Sequence, residues 1–159
     1  MRFFIAGIMQ GSHAGEVLHH QGYREKLKEL LVEHVPGAVV YDPLSEHRDS
    51  LEYDHQRGRE VFLQHNRMCG EMEVLIAFVP EASMGTAIEM WEAFRHGRFV
   101  VTISPLRHNW VVRFCSHEVF ADLESFAGAV RSGELCRRIS PRDGSQASDR
   151  TFSVGESGE

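Results

Sequence analysis

The chain has 159 residues, of which 42% are hydrophobic and 25% charged, and it carries a formal net charge of −6. These values are typical of one soluble globular domain. The acidic balance argues against a nucleic-acid polymer or an anionic membrane as the main partner, because both would repel a negative protein. The charge does not exclude a small nucleotide, which needs only a few local donors.

Cysteine usage and the N-terminus predict a cytoplasmic protein. The three cysteines, Cys69, Cys115 and Cys136, show no paired spacing, which indicates free thiols. The opening apolar run is too short and wrongly flanked for a signal peptide, and no run approaches membrane-spanning length. The ten histidines lack a metal-binding spacing, so we expect no metal site and no cofactor.

Strands and helices alternate in the first half of the chain. Arg2–Gly7 reads as a buried strand, followed by a loop that contains glycine. A helix is expected over about 17–34, where a Pro-Gly pair ends it, and a short strand over 38–41. The polar segment 42–57 is expected to form a long loop or a lid.

The second half contains a strand-helix-strand unit. A helix over 60–68 leads into an apolar strand that starts at Val74, and a polar turn then opens a second helix. Phe99–Ile103 reads as the next strand. Short elements at 111–114 and 118–120, and a last helix near 123–130, complete the domain.

This alternation predicts an α/β fold: a small doubly wound parallel sheet, Rossmann-like or flavodoxin-like, in a single domain. Its apolar strands must be covered on both faces. We expect the domain to span 1–139 and residues 140–159, which are rich in Ser, Gly and charge, to form a flexible polar tail. Ligands bind such sheets beyond the carboxyl ends of the strands.

The turn after the central strand is a candidate anion site. Ser83, Met84, Gly85 and Thr86 open the following helix. A helix N-terminus offers free N–H groups, and hydroxyl side chains add donors, so the turn suits a phosphate or a carboxylate. The alternative is that Ser83 is only an N-cap and Gly85 only a packing glycine.

One carboxylate, Glu89, stands about one helical turn beyond that opening. A helical wheel places it away from Trp91 and Phe94, which we expect to pack on the sheet. Glu89 would then face a ligand from a rigid helix. The alternative is an ordinary solvated glutamate.

Two further groups are weaker candidates. His65-Asn66, just before the central strand, offers a proton donor in the same cleft, although a surface pair is the alternative. The loop after the first strand, at Gly7, Ile8, Gly11 and Ser12, is neither a P-loop nor a dinucleotide fingerprint, because its glycine spacing differs and the Gly-Lys-Ser/Thr ending is missing.

Together these residues resemble the nucleoside 2-deoxyribosyltransferase family and its relatives, the 2′-deoxynucleoside 5′-phosphate N-hydrolases. The resemblance covers about 2–130. It rests on the first strand with its loop, on Tyr23-Arg24, and most of all on 74–93, where an apolar strand, a polar loop and a Gly-to-Glu helix start follow one another.

The resemblance implies N-glycosidic chemistry, with Glu89 as the nucleophile that attacks C1′ and displaces the base. His65 and Asn66 are the groups expected to help the base leave. Relatives that act on monophosphates carry Ser at the position of Ser83, whereas transferases carry an acidic residue there. The resemblance therefore favours hydrolysis of a (deoxy)nucleoside 5′-monophosphate over base exchange on free nucleosides, and a nucleotide-binding module without turnover is a further alternative.

The family also completes its site from a neighbouring subunit, which implies a homodimer or a larger homo-oligomer with a shared active site. The loop after the next strand would contribute, through Arg107-His108-Asn109 or through Ser116. The residues expected to bind substrate are Gly7, Ile8, Gly11, Ser12, Tyr23, Ser83, Met84, Gly85, Asn109 and Ser116.

Two departures from the family pattern are visible. No acidic residue stands near His65-Asn66, where the hydrolases carry Asp, and the nearest hydroxyl of the first loop is Ser12 rather than a residue near Ile8. Either the contacts to the sugar or the phosphate therefore differ from those of the family, or the activity has been altered or lost.

Overall fold

A computed structural model of the chain describes residues 1–9 and 20–139. Its five strands are β1 (Arg2–Gly7), β2 (Val39–Tyr41), β3 (Val74–Phe78), β4 (Phe99–Ile103) and β5 (Glu118–Phe120). Its helices are α1 (Gly22–His34), α2 (Pro43–Glu46), α3 (His55–Glu71), α4 (Met84–Arg95), α5 (Trp110–Phe114), α6 (Leu123–Arg131) and α7 (Glu134–Ile139), with a 3₁₀ turn at Ser50–Glu52.

The strands form one parallel sheet in the order β2-β1-β3-β4-β5. This is the flavodoxin-like order of a doubly wound fold, and it confirms the predicted fold class. The chain adds β2 on one side of β1 and then returns to add β3 on the other. The carboxyl ends of β1 and β3 therefore flank the point where loops diverge, which is where such sheets bind ligands.

Each face of the sheet has its own apolar core. On one face, fully buried Phe3 and Ile5 of β1 pack with Leu27 of α1, Phe126 of α6 and Leu135 of α7. The alternate residues of the strands point the other way, as the two-residue repeat of a strand requires. There Phe4, Ala6, Leu75 and Ala77 of the sheet pack with Cys69 of α3 and with Met90 and Ala93 of α4.

The predicted loop or lid over 42–57 is wrong for most of its length. Asp42 accepts a hydrogen bond from Leu44 N and caps α2, and Pro43 occupies the first turn. Asp54 accepts from Arg57 N at 2.7 Å and caps α3, which is longer than the predicted helix at 60–68. Helix-capping residues are polar, so a segment that contains two helix N-termini close together has the polar composition of a loop.

Two other predictions differ from the structure. The first helix begins at Gly22 rather than near 17, because His20 and Gln21 are not helical. A further helix, α7, follows the helix that we expected to be the last. The three cysteines are free thiols. None of the helices in the described ranges is both long and apolar enough to cross a membrane. The predicted tail at 140–159 lies outside the described residues.

The expected packing of α4 is also wrong. Thr86, Met90 and Ala93 form its buried side, whereas Trp91 and Phe94 are exposed and contact each other, with ring centroids 6.2 Å apart. These three residues stand at i, i+4 and i+7 and form one narrow stripe along the helix, and this stripe packs on the sheet. The two aromatic rings are left on the outer surface of the helix.

Candidate active site

The carboxyl end of β1 is held by polar groups of α1. The Ile8 carbonyl accepts hydrogen bonds from Gln21 Nε2 at 3.0 Å and from the Tyr23 hydroxyl at 3.3 Å. Ile8 N donates to the Phe78 carbonyl of β3 at 3.4 Å. The backbone at the start of the first loop is therefore fixed on both sides.

Arg24 lies beneath this strand end and is almost completely buried. Its guanidinium donates to the carbonyls of Ile5 (3.0 Å) and Gly7 (3.1 Å), to Gln21 Oε1 (2.8 Å) and to Asp42 Oδ1 (3.0 Å). The Asp42 carboxylate balances the buried charge. Arg24 thus ties the end of β1 to the residue that follows β2 and places a cation under the cleft.

Gly7 is required by a close approach. A Cβ atom added to it would stand 2.2 Å from the Tyr23 hydroxyl oxygen. Tyr23 itself is buried and packs on Phe78, with ring centroids 4.2 Å apart. The predicted roles of Gly7, Ile8 and Tyr23 thus fall on residues that the structure brings together, at the end of β1.

The N-terminus of α4 lies at the end of β3. Ser83 is its N-cap: Ser83 Oγ accepts from Thr86 N at 3.4 Å and from the Thr86 hydroxyl at 3.0 Å. Gly85 has open space around its missing side chain, with no atom within 4 Å of an added Cβ, and Met84 is 82% exposed. The helix end is therefore accessible, and Gly85 is not needed for packing.

Glu89 lies one turn further along α4 and is partly exposed. Among the described residues, no hydrogen bond or ion pair engages its carboxylate. Burial raises the pKa of Glu89 to about 7, and the Arg24 cation opposes that rise. Its charge in turn helps burial to raise the pKa of Tyr23 to about 12 and that of the Cys69 thiol. The Glu89 charge thus acts both on Tyr23, beside the end of β1, and on Cys69 of α3.

His65 and Asn66 lie on α3. Tyr41 Oη and His65 Nε2 share a hydrogen bond of 3.1 Å, and Asn66 Nδ2 donates to the Phe62 carbonyl at 2.8 Å. Burial, assisted by His47 and Arg24, lowers the pKa of His65 to about 4. The imidazole is therefore neutral at pH 7 and can offer a hydrogen bond, but not an imidazolium proton. Within the described chain, the buried Asn66 Oδ1 has no hydrogen-bond partner.

His65 lines a cavity of about 320 Å³ that opens between α3 and the segment after β2. His47 forms another part of the wall, with Nδ1 2.9 Å from the Tyr53 hydroxyl and its ring 5.1 Å from that of His65. The remaining wall is mostly apolar: Met9, Pro43, Leu51, Val61 and Phe62, with Ser50 and Gly58. The structure thus adds a partly aromatic pocket beside the end of β1.

The sequence did not predict that Arg24 is buried and hydrogen-bonded to several groups at the end of β1. It also gave no role to Asp42, His47 and Tyr53. The signal for Asp42 was its place directly after a strand, at the carboxyl edge of the sheet. His47 and Tyr53 carried no signal, because their partnership depends on how the chain folds between α2 and α3.

The other predicted residues are dispersed. Asn109 caps α5 and lines a second cavity of about 220 Å³ with Ser83 and Met84. Ser116 precedes β5, away from the carboxyl edge, and shares a 2.7 Å hydrogen bond with Thr102. Gly11 and Ser12 lie outside the described residues. Across 1–9 and 20–139, no cluster of three or more His, Cys, Asp or Glu side chains could hold a metal ion.

No protein-family model and no curated protein matches the sequence. The fold is similar to a solved structure of a 2-deoxyribosyltransferase from the psychrotolerant bacterium Bacillus psychrosaccharolyticus, with a TM-score of 0.65 and 16% sequence identity. The similarity covers 89% of this chain and 99% of that chain. At this identity the similarity establishes the fold.

Proposed function

We propose that the protein cleaves the N-glycosidic bond of a (deoxy)nucleoside 5′-monophosphate, with Glu89 as the nucleophile, and hydrolyses the glycosyl-enzyme. The observation that carries the proposal is the Glu89 carboxylate, which has no partner in the described chain and stands at the ligand edge of the sheet between the ends of β1 and β3. The structural neighbour, a transferase used in nucleoside synthesis, supports nucleosides as the substrate class.

The chemistry follows from the carboxylate. A Glu89 oxygen attacks C1′ as the C1′–N bond breaks, and the electron pair of that bond leaves with the base, which takes up a proton. The negative charge stabilises the oxocarbenium-like transition state before the glycosyl ester forms. Water then adds to C1′, the ester bond breaks, and Glu89 is released as a carboxylate.

The environment of Glu89 suits this role. Because no ion pair or hydrogen bond within the described residues stabilises the carboxylate, its oxygens are free to attack, and partial burial makes the anion reactive. Arg24 lies close enough to lower the Glu89 pKa, so the anion is retained in part at neutral pH. Neutral His65 would assist departure of the base as a hydrogen-bond donor.

The exposed N-terminus of α4 supports the monophosphate as the substrate. The partial positive charge of a twelve-residue helix, the Ser83 hydroxyl and the space over Gly85 would suit a dianion. A carboxylate in place of Ser83 would repel it. The alternative, base exchange on a free nucleoside, is favoured by the activity of the structural neighbour.

We infer a homodimer or larger assembly from the surface around the second cavity. Large apolar side chains are exposed on α4 and α5: Met84, Ile88, Trp91, Trp110 and Phe114. Trp110, 77% exposed, follows Asn109 directly, so a partner that covered this surface would also cover Asn109 and the mouth of the Ser83 turn. A second copy seated there would make the site shared.

The test is chromatographic release of free base from ribo- and deoxyribonucleosides and their 5′-monophosphates. Wild type should release base from monophosphates, and Glu89→Ala should lose the release. Glu92→Gln, which alters a carboxylate of the same helix that pairs with Arg95, is the control and should retain it. Equal traces from wild type and Glu89→Ala would refute Glu89 as the nucleophile, and transfer to an added base would establish the exchange reaction instead.

A further inference from the structure

The cavity beside the end of β1 is lined by two imidazoles, each of which forms a hydrogen bond through only one of its two ring nitrogens. His47 uses Nδ1 with the Tyr53 hydroxyl, and His65 uses Nε2 with the Tyr41 hydroxyl. In the described part of the chain, the second nitrogen of each ring has no hydrogen-bond partner. Both residues line the cavity, so a ligand that fills it lies beside the two rings.

The partners leave both tautomers open. A tyrosine hydroxyl either donates to an imidazole nitrogen or accepts from its N–H. When Tyr53 donates to His47 Nδ1, the proton sits on Nε2, which then donates to a ligand. When Nδ1–H donates to Tyr53, Nε2 accepts. When the hydroxyl rotates and the ring proton moves from Nε2 to Nδ1 by exchange with water, the free nitrogen changes from donor to acceptor, and the corresponding exchange applies to Tyr41 and His65.

Position links this cavity to Glu89. His65 lies one turn before Cys69 on α3, about 6 Å along the helix axis, and the Cys69 thiol feels the Glu89 charge. The cavity is bounded by Met9, two residues after β1, and the Glu89 charge acts on Tyr23, which packs beside the same strand end. A ligand whose sugar meets Glu89 would extend its base toward this cavity, where Leu51, Val61 and Phe62 offer apolar contact.

Resting on the proposed function, we propose that His47 and His65 determine base specificity, and that their exchangeable tautomers let one pocket accept both amino-bearing and oxo-bearing bases. The amino group of one base meets an acceptor nitrogen, and the carbonyl of another meets a donor N–H, without a change of side chain. Burial, assisted by the neighbouring His47 and Arg24, lowers the pKa of His65 to about 4, which preserves the neutral form that this adaptation needs.

The test uses amides that copy one nitrogen of each ring. His47→Asn retains a group at the Nδ1 position for Tyr53 and removes Nε2, and His65→Gln retains a group at the Nε2 position for Tyr41 and removes Nδ1. Each is made in a Glu89→Gln background to prevent turnover. Calorimetry then measures Kd for 2′-deoxyadenosine and 2′-deoxyguanosine 5′-monophosphates and for 2-deoxyribose 5-phosphate, which lacks a base.

We expect the parent to bind the two nucleotides with similar affinity, and each variant to weaken at least one of them by about tenfold, the effect of one lost buried hydrogen bond to a ligand. Affinity for deoxyribose 5-phosphate should not change. Equal weakening of all three ligands would show a structural role and overturn the inference, as would unchanged affinities or a parent that binds no nucleotide.

Base release separates this inference from the proposed function. Selective binding that depends on His47 and His65, in a wild type that releases no base, would refute hydrolysis and leave the specificity role intact. The His47 and His65 variants are also made with Glu89 unchanged. If they release base from the two nucleotides in the same ratio as wild type, the specificity role alone is refuted.

Discussion

Arg24 and Asp42 form a buried ion pair, with Nη1 3.0 Å from Oδ1, that joins the first turn of α1 to the residue after β2. Arg24 also donates to the last carbonyls of β1, so the pair supports the strand end where the substrate is proposed to bind. A buried pair of this kind contributes little net stability, but breaking it leaves one charge uncompensated.

Arg24→Met should therefore destabilise the protein by about 3–5 kcal/mol, the cost of an unpaired buried charge. Urea denaturation measures the loss. Arg24→Met combined with Asp42→Leu is expected to be more stable than the sum of the two single changes predicts, because the double variant leaves no lone charge. Strictly additive losses would contradict the pairing, and Arg24→Lys tests the charge alone if the methionine variant does not fold.

The raised pKa of Glu89 predicts a stability effect of unusual sign. In the folded protein the group holds its proton up to about pH 7, above its ordinary value of 4.5. The charged form is thus disfavoured on folding, and stability is lost as the pH rises through this range. Glu89→Gln should be more stable than wild type at pH 8, by on the order of 2 kcal/mol, and equal to it near pH 4. Thermal melts at both pH values check this. A variant no more stable at pH 8 would contradict the burial effect.

The same pKa predicts the acid limb of activity. Only the carboxylate attacks C1′, so kcat/KM for base release should fall with unit slope below about pH 7. A pH–rate profile at limiting substrate, which reports on the free enzyme, measures it. An acid limb near pH 4.5 would mean that the carboxylate is more solvated than the structure shows.

Two glycines at the cleft should respond oppositely to alanine. At Gly7 the new Cβ meets the Tyr23 hydroxyl, so Gly7→Ala should destabilise by about 1–3 kcal/mol, as overpacking does. Gly85→Ala meets open space within a helix and should stabilise by about 0.5–1 kcal/mol. We expect Gly85→Ala nonetheless to raise KM for monophosphates, by filling the space over the helix end. An unchanged KM would show that the phosphate does not bind over Gly85.

The exposed apolar surface predicts self-association. Trp91→Glu and Trp110→Glu should shift the protein toward monomer in sedimentation velocity, and base release should fall with dimerisation if the site is shared. Val32→Glu is the matched control, since Val32 of α1 is 57% exposed and Trp91 is 53% exposed. An assembly that persists in both tryptophan variants would place the interface on another surface.

Sequence patterns predicted the sheet well, because buried parallel strands are continuous apolar runs. β1 and β4 have the predicted bounds, and β3 begins at Val74 as expected. The apolar periodicity of α4 gave the wrong buried face, because we expected its large aromatic side chains to be buried. The residues that pack on the sheet include the smaller Thr86 and Ala93. Apolar periodicity identifies a face, but the distance between helix and sheet decides which residues fit there.

The site was predictable only where local structure determines it. Glu89 and Ser83 follow from the strand, turn and helix around them. The pairing of Arg24 with Asp42, and of His47 with Tyr53, depends on contacts between elements that sequence spacing does not specify. A neutral His65 is likewise a consequence of burial against Tyr41 and His47, which turns a candidate proton donor into a hydrogen-bonding group.

A single oxygen atom, Asp42 Oδ1, accepts hydrogen bonds both from Arg24 and from Leu44 N at the start of α2. Asp42 therefore connects α2, which borders the cavity lined by His47 and His65, with Arg24, which supports the end of β1. An outward movement of α2 would therefore either break its N-terminal cap or draw Asp42 away from Arg24. We expect changes of base preference in this scaffold to arise from exchanges of side chains along the wall, while its main chain stays in place.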